Sequence, residues 1–241
     1  MLESYKYARK ENVTVYYVGN DRRFVVEVIE GVLNSYKELE KYFQLKDRKF
    51  SIRTILAMNR REYDYIGETV LKLKRNSASK RSEVTITSKN DLLILSPFDY
   101  EEESTYDYEG EMLQKLIYSQ VVHIFNEFIS LNPESSSTWF GQGIAIYLSK
   151  LWNEENINKE IKKAIKEDMI PSLKMIQENK SLYKTWVWTI VRYIEEVYGK
   201  EIINEIIRKY DESDIFSIIK VPIDDFEDQW RDWLENEDNI S

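Results

Sequence analysis

Hydrophobic positions change their spacing along the chain, and the change divides it in two. VTVYYV at 13–18 is β-branched and aromatic and predicts a strand. Residues 24–44 place Val25, Val28, Ile29, Val32, Leu33, Tyr36, Leu39, Tyr42 and Phe43 at helical spacing and predict a long helix. FSIRTILAM at 50–58, TVLKLKR at 69–75, SEVTITS at 82–88 and DLLILSP at 91–97 are short apolar or alternating runs between polar turns, which predict a small twisted sheet. DYEEESTYDYEGE at 99–111 holds seven acidic residues in thirteen and reads as a solvated boundary loop. Beyond it the period is helical to the end, with helices expected near 110–130, 138–152, 157–167, 172–178, 183–198, 200–209 and 223–235. The fold class expected is α+β: a mixed α/β lobe over 1–110 with a small twisted sheet, then an all-helical lobe over 111–241, together one two-lobed unit. Only 4 Pro and 7 Gly are present, so little interrupts the helices.

Composition narrows the chemistry. The 34 Lys and Arg against 43 Asp and Glu give a net charge of −9, and no basic stripe stands out, so a nucleic-acid partner is not expected. Residues 1–110 carry 19 basic and 19 acidic side chains, which puts the whole negative surplus in the second half. With no Cys and a single His, thiolate chemistry is excluded, and a metal site would have to draw on His, Asp and Glu. No apolar run of about 18 residues appears, and the charged start MLESYKYARKENV lacks a secretory core, so no membrane partner and a cytoplasmic location are expected.

The candidate chemistry lies in two stretches, LQKLIYSQVVHIFNEF at 113–128 and STWFGQGIAIYLSKLW at 137–152. Their layout resembles the gluzincin zinc metallopeptidases, most closely the bacterial peptidase MA-like branch. That family has H-E-x-x-H on one helix and a W-x-x-E-G-x-A-x-Y-like helix supplying a third zinc ligand. Two imidazoles at i and i+4 share one helix face, a carboxylate completes the ligand set, and the Glu beside the first His acts as general base on the zinc-bound water.

Against that pattern, Ser119 occupies the first His position, Gln120 the general-base position, and His123 alone is retained; Gln142 occupies the position of the third ligand. Trp139, Gly143, Ala145 and Tyr147 keep the family spacing, and 18 residues separate His123 from Gln142, as in the aminopeptidase-like members. The resemblance extends to DLLILSPF at 91–98, similar to the family's cleft-edge strand, and to TWVWTIVRYIEEVYGKEIINEIIRKY at 185–210 and IDDFEDQWRDWL at 223–234. It implies a thermolysin- or aminopeptidase-like architecture, and a catalytically inactive member of it. No catalytic residue and no metal ligand set is expected, and zinc is expected to be absent. A full ligand set holds structural zinc by about 10–16 kcal/mol; one imidazole with amide and hydroxyl oxygens supplies a small part of that.

The function expected is binding of an extended peptide or protein segment in the former active-site cleft, beside strand 91–98, with Ser119, Gln120, His123, Trp139 and Gln142 as binding residues. Two alternatives stand beside it: a metal-independent hydrolase using His123 and Ser119, or a purely structural or regulatory interaction protein. The other tryptophans, Trp152, Trp186, Trp188, Trp230 and Trp233, read as core. Lys72, Lys74, Arg75, Lys80 and Arg81 around NSASK read as a solvated hairpin tip.

Overall fold

The computed structural model describes residues 4–45, 49–106, 110–130, 138–153, 155–209 and 215–236. The chain is α+β, with a five-stranded mixed sheet and helices. It divides into two units, Met1–Ile124 and Phe125–Ser241.

In the first unit the strands are β1 (Lys6–Lys10), β2 (Val13–Tyr17), β3 (Ile52–Ala57), β4 (Thr85–Ser88) and β5 (Asp91–Leu95), in the order β1-β2-β3-β5-β4. β2, β3 and β5 are mutually parallel neighbours, while β1 and β4 run antiparallel at the two ends of the order. Helix α1 (Val25–Tyr42) makes the crossover from β2 to β3, and its buried stripe of Val28, Ile29, Val32, Leu33, Tyr36 and Leu39 follows the predicted helical face. Leu92, Leu93, Ile94 and Leu95 are all fully buried. Burial on both faces is the mark of an inner strand, and β5 pairs with β3 on one side and β4 on the other. Strand 91–98 is therefore not an edge strand, and a peptide cannot add beside it; the sheet borders are β1 and β4.

A second correction concerns 69–75, which is not a strand. The preceding helix α2 (Arg60–Thr69) starts with a capping arrangement: Asn59 Oδ1 accepts the Glu62 N–H at 2.9 Å, while Glu62 Oε2 accepts the Met58 N–H at 2.6 Å. After α2 the chain folds back on the helix end, with Val70 and Leu71 N–H on the Ile66 carbonyl, Leu73 N–H on that of Gly67, and Lys72 at φ 59°.

In the segment beyond, Lys72, Lys74, Lys80 and Arg81 are exposed, as a solvated tip requires, but Arg75 is not and the segment is pinned in place. Arg75 is largely buried, paired with Glu83 and lying 3.6 Å from Asp64. Arg60 donates to Ser79 Oγ, to the Glu83 carbonyl and to the Glu103 carbonyl, and Arg81 donates to the Glu102 and Ser104 carbonyls. The fully buried Tyr63 ring sits 5.3 Å from the Arg60 guanidinium and 5.8 Å from that of Arg75. These ties give an irregular segment fixed partners that no sheet ladder supplies. The acidic stretch that follows contains the short helix α3 (Tyr100–Glu103), anchored by buried Tyr100; residues 107–109 of it lie outside the described residues.

Helix α4 (Gly110–Ile129) carries the division between the units within its length. The second unit contains α5 (Trp139–Leu148), α6 (Glu155–Lys166), α7 (Leu173–Glu178), a π-helical turn Tyr183–Val187, α8 (Trp188–Tyr198), α9 (Lys200–Lys209), α10 (Ile215–Ile219) and α11 (Ile223–Leu234). Its core is built on α8, whose Trp188 stacks on Trp152 at 4.4 Å, while Trp230 of α11 donates its indole N–H to Thr189 Oγ1 at 3.2 Å. Trp186, Trp188 and Trp230 are buried as expected; Trp152 and Trp233 are half-buried.

Gly143 lets α5 meet this core. A Cβ there would lie 3.0 Å from the Val187 carbonyl oxygen and 3.0 Å from Val191 Cγ2. Because the first obstacle is backbone, Gly143→Val is expected to force the helices apart and lower stability by about 1–3 kcal/mol, read as a reduced urea midpoint; Gly143→Ala should cost less.

Candidate functional site

Ser119, Gln120 and His123 all lie on α4, in the first unit. The helix is placed there by α1. Gly31 of α1 leaves room for the Gln114 side chain, whose Oε1 would be 2.2 Å from a Cβ at that position. Gln114 also donates to Glu27 at 3.4 Å, and the Tyr118 hydroxyl bonds Glu38. Burial, reinforced by that carboxylate, pushes the Tyr118 phenol well above its ordinary pKa. The apolar anchors Leu113, Ile117 and Val121 are buried on the same helix.

Ser119 and His123 are one turn apart and so share a face of α4. They are 5% and 8% exposed, respectively, and Gln120, the next residue round the helix, is half-buried. Burial alone lowers the His123 pKa from 6.5 to about 4, so the imidazole is neutral at pH 7. Its Nδ1 is buried without a hydrogen-bond partner. A neutral imidazole held this way is a weak base, since efficient proton abstraction near neutrality needs a pKa close to 7. Ser119 lies mid-helix, where its backbone N–H is committed to the helix ladder and cannot serve an oxyanion.

Trp139 and Gln142 lie on α5, in the second unit. The helix start is set by Thr138, whose Oγ1 accepts the Gly141 N–H at 3.1 Å. Trp139 is 4% exposed and packs edge-on to Phe140 at 5.5 Å, so its ring contributes to packing rather than presenting a surface platform. Gln142 is half-buried, one residue from the glycine pressed against Val187. The structure thus groups three of the five candidate residues on one helix and two on another, each set within its own unit.

Among the described residues, no group of three or more His, Asp and Glu side chains is arranged to hold a metal ion. Also among them, no helix is long and apolar enough to cross a membrane. No protein-family model and no curated protein matches the chain.

Two polar constellations escaped the sequence reading. One is the Tyr63–Arg60–Arg75–Glu83 network described above. The other is a buried pair, Asp21 and Ser96, separated by 75 positions, with the Ser96 hydroxyl donating to Asp21 Oδ1. Only the Asn59-x-x-Glu62 cap carried a local signal for the first. No local pattern marks the second.

Proposed function

We propose that the protein is a catalytically inactive, metallopeptidase-like binding protein that takes up an extended peptide or protein segment without zinc. The observation that carries this reading is the state of His123: neutral, buried, and flanked on its helix by Ser119 and Gln120, where the resembled family has a second imidazole and a carboxylate base. This donor set does not fit zinc. One desolvated imidazole, a hydroxyl and neutral amides lack the anionic and imidazole ligands that a zinc site requires.

Of the two sheet borders, β4, next to β5, is the one we assign to main-chain pairing. The Leu95 N–H bonds the Val84 carbonyl at 2.8 Å, which fixes the phase of the antiparallel ladder. By alternation, the main-chain groups of Ile86 and Ser88 face β5, and those of Thr85 and Thr87 face outward. Thr85 is only 7% exposed, so an added strand would hydrogen-bond at the half-buried Thr87, as in other cases of strand addition. The Ser119–His123 hydrolase is the weaker reading, because its base would be protonated only near pH 4 and its serine lacks oxyanion donors.

The test combines zinc analysis of the purified protein, cleavage of casein and of a peptide library, and hydrogen exchange with library peptides added. Substoichiometric zinc, no cleavage, and peptide-induced protection at Thr87 are expected. Stoichiometric zinc with cleavage abolished by His123→Ala would reject the proposal. A stable heteromeric complex without protection at β4 would favour the structural interaction role instead.

A further inference from the structure

Asp21 and Ser96 tie together the chain just beyond the carboxyl ends of two parallel strands. Asp21 lies in the 3₁₀ turn Gly19–Arg23 that follows β2, and Ser96 directly follows β5. The Ser96 hydroxyl donates to Asp21 Oδ1 and accepts the Phe98 N–H at 3.2 Å. Asp21 is only 2% exposed, and its other oxygen, Oδ2, is buried with no hydrogen-bond partner. A buried ionised carboxylate needs several donors or a cation to offset its lost hydration. Here it has one hydroxyl.

The charged and titratable neighbours do little to supply the rest. Glu62 from α2 and Asp99 beyond β5 are both acidic, and the Tyr5 hydroxyl ahead of β1 is neutral. Arg23, on the same turn as Asp21, is the opposing charge, and its guanidinium lies over the Phe24 and Phe98 rings at 4.5 and 4.8 Å. Burial is the largest influence and pushes the Asp21 carboxyl above its ordinary 3.8; the Ser96 hydrogen bond and Arg23 oppose this, while Asp99 and Glu62 add to it.

We propose that Asp21, bonded to Ser96, is a proton-controlled clasp: while it is protonated the carboxyl stays buried and the turn after β2 is held to the turn after β5, and when the proton leaves the single hydroxyl bond does not offset the lost hydration, so both turns open to admit water. The protonated acid is the form the fold favours. The clasp is therefore complete below pH 3.8 and weakens as the pH rises through the folded-state value. Loosening uncovers Phe24 and Val25, each 5% exposed when the turn is closed. None of these residues belongs to the α4 face or to β4, so the clasp stands apart from the proposed binding function.

Amide exchange on the full chain between pH 4 and pH 8, corrected for intrinsic rates, tests it. The reporters are the Phe24 N–H on the Asp21 carbonyl at 2.9 Å, the Asp99 N–H on the Ser96 carbonyl at 3.1 Å, and the Phe98 N–H on Ser96 Oγ. Their opening, taken relative to that of Ile55 in β3, which carries the global pH dependence, should rise about tenfold for each pH unit between 3.8 and the titration of Asp21. Asp21→Asn should keep the protection and flatten the profile. Carbon NMR of the Asp21 carboxyl in the wild-type chain gives the midpoint directly, so the idea remains testable if the variant does not fold. A flat wild-type profile, an unchanged profile in Asp21→Asn, or a midpoint at or below 3.8 would each overturn the clasp.

Discussion

Lowering the pH from 7 to 4 is expected to remove about 3 kcal/mol of stability through His123 alone. The unfolded chain takes up a proton near pH 6.5, whereas the buried imidazole resists it until about pH 4. Between those values the unfolded state binds more protons, so folding stability is fully present above 6.5 and is lost progressively as the pH falls. Carboxylates begin to titrate in the same range, which makes the comparison with His123→Leu the decisive one. Urea midpoints of that variant should fall less between pH 7 and pH 4, by the histidine's share. His123 is the single histidine of the sequence, so its ring-proton NMR signal needs no assignment. A titration midpoint near 6.5 would show that the imidazole meets water in the folded state, and would also withdraw the main support for the proposed loss of catalysis.

Truncating Trp230 is expected to cost the second unit about 3–5 kcal/mol. The side chain is fully buried, meets Trp186 edge-on at 6.4 Å and donates to Thr189 Oγ1 at 3.2 Å. Thr189 remains bonded to the Trp186 carbonyl at 2.7 Å after the indole is removed, so the loss reflects the cavity rather than an orphaned hydroxyl. Trp230→Phe, which refills most of that volume, should retain much of the stability. Urea unfolding followed by near-ultraviolet circular dichroism separates the two variants; equal midpoints for Trp230→Ala and wild type would mean that α11 is not part of the cooperative core.

Where one face of an element met apolar neighbours, the sequence was readable. The helix predicted over 24–44 is observed as Val25–Tyr42, because its apolar stripe is continuous and sits on β2. The apolar run at 91–97 was correctly read as a strand but placed at the sheet edge by resemblance. Its lack of alternation pointed inward, as four fully buried leucine and isoleucine side chains make plain. β1, with the sequence KYARK, has little apolar content and went unread; main-chain pairing with β2, the Tyr7–Tyr16 ring contact and the Lys10–Glu30 ion pair hold it. The alternation at 69–75 misled because the main chain there bonds back onto the Ile66 and Gly67 carbonyls at the end of α2, while Arg75 pairs with Glu83 and Asp64. The five-residue π turn before α8 breaks the 3.6-residue period and cannot be found by a periodic search. At the candidate site, residue identity disclosed the missing ligands and base, but burial of the imidazole and its neutrality required the fold.

The two borders of the sheet differ in their resistance to unwanted growth. β1 presents Lys6, Arg9 and Lys10 as exposed cations, which repel a second copy of the same strand. β4 carries no charge along Thr85–Ser88 and is kept from fibril-like stacking chiefly by being four residues long. Partial unfolding should therefore seed self-association from the β4 side, and a lysine introduced there, as Thr87→Lys, should delay heat-induced turbidity without touching the buried core.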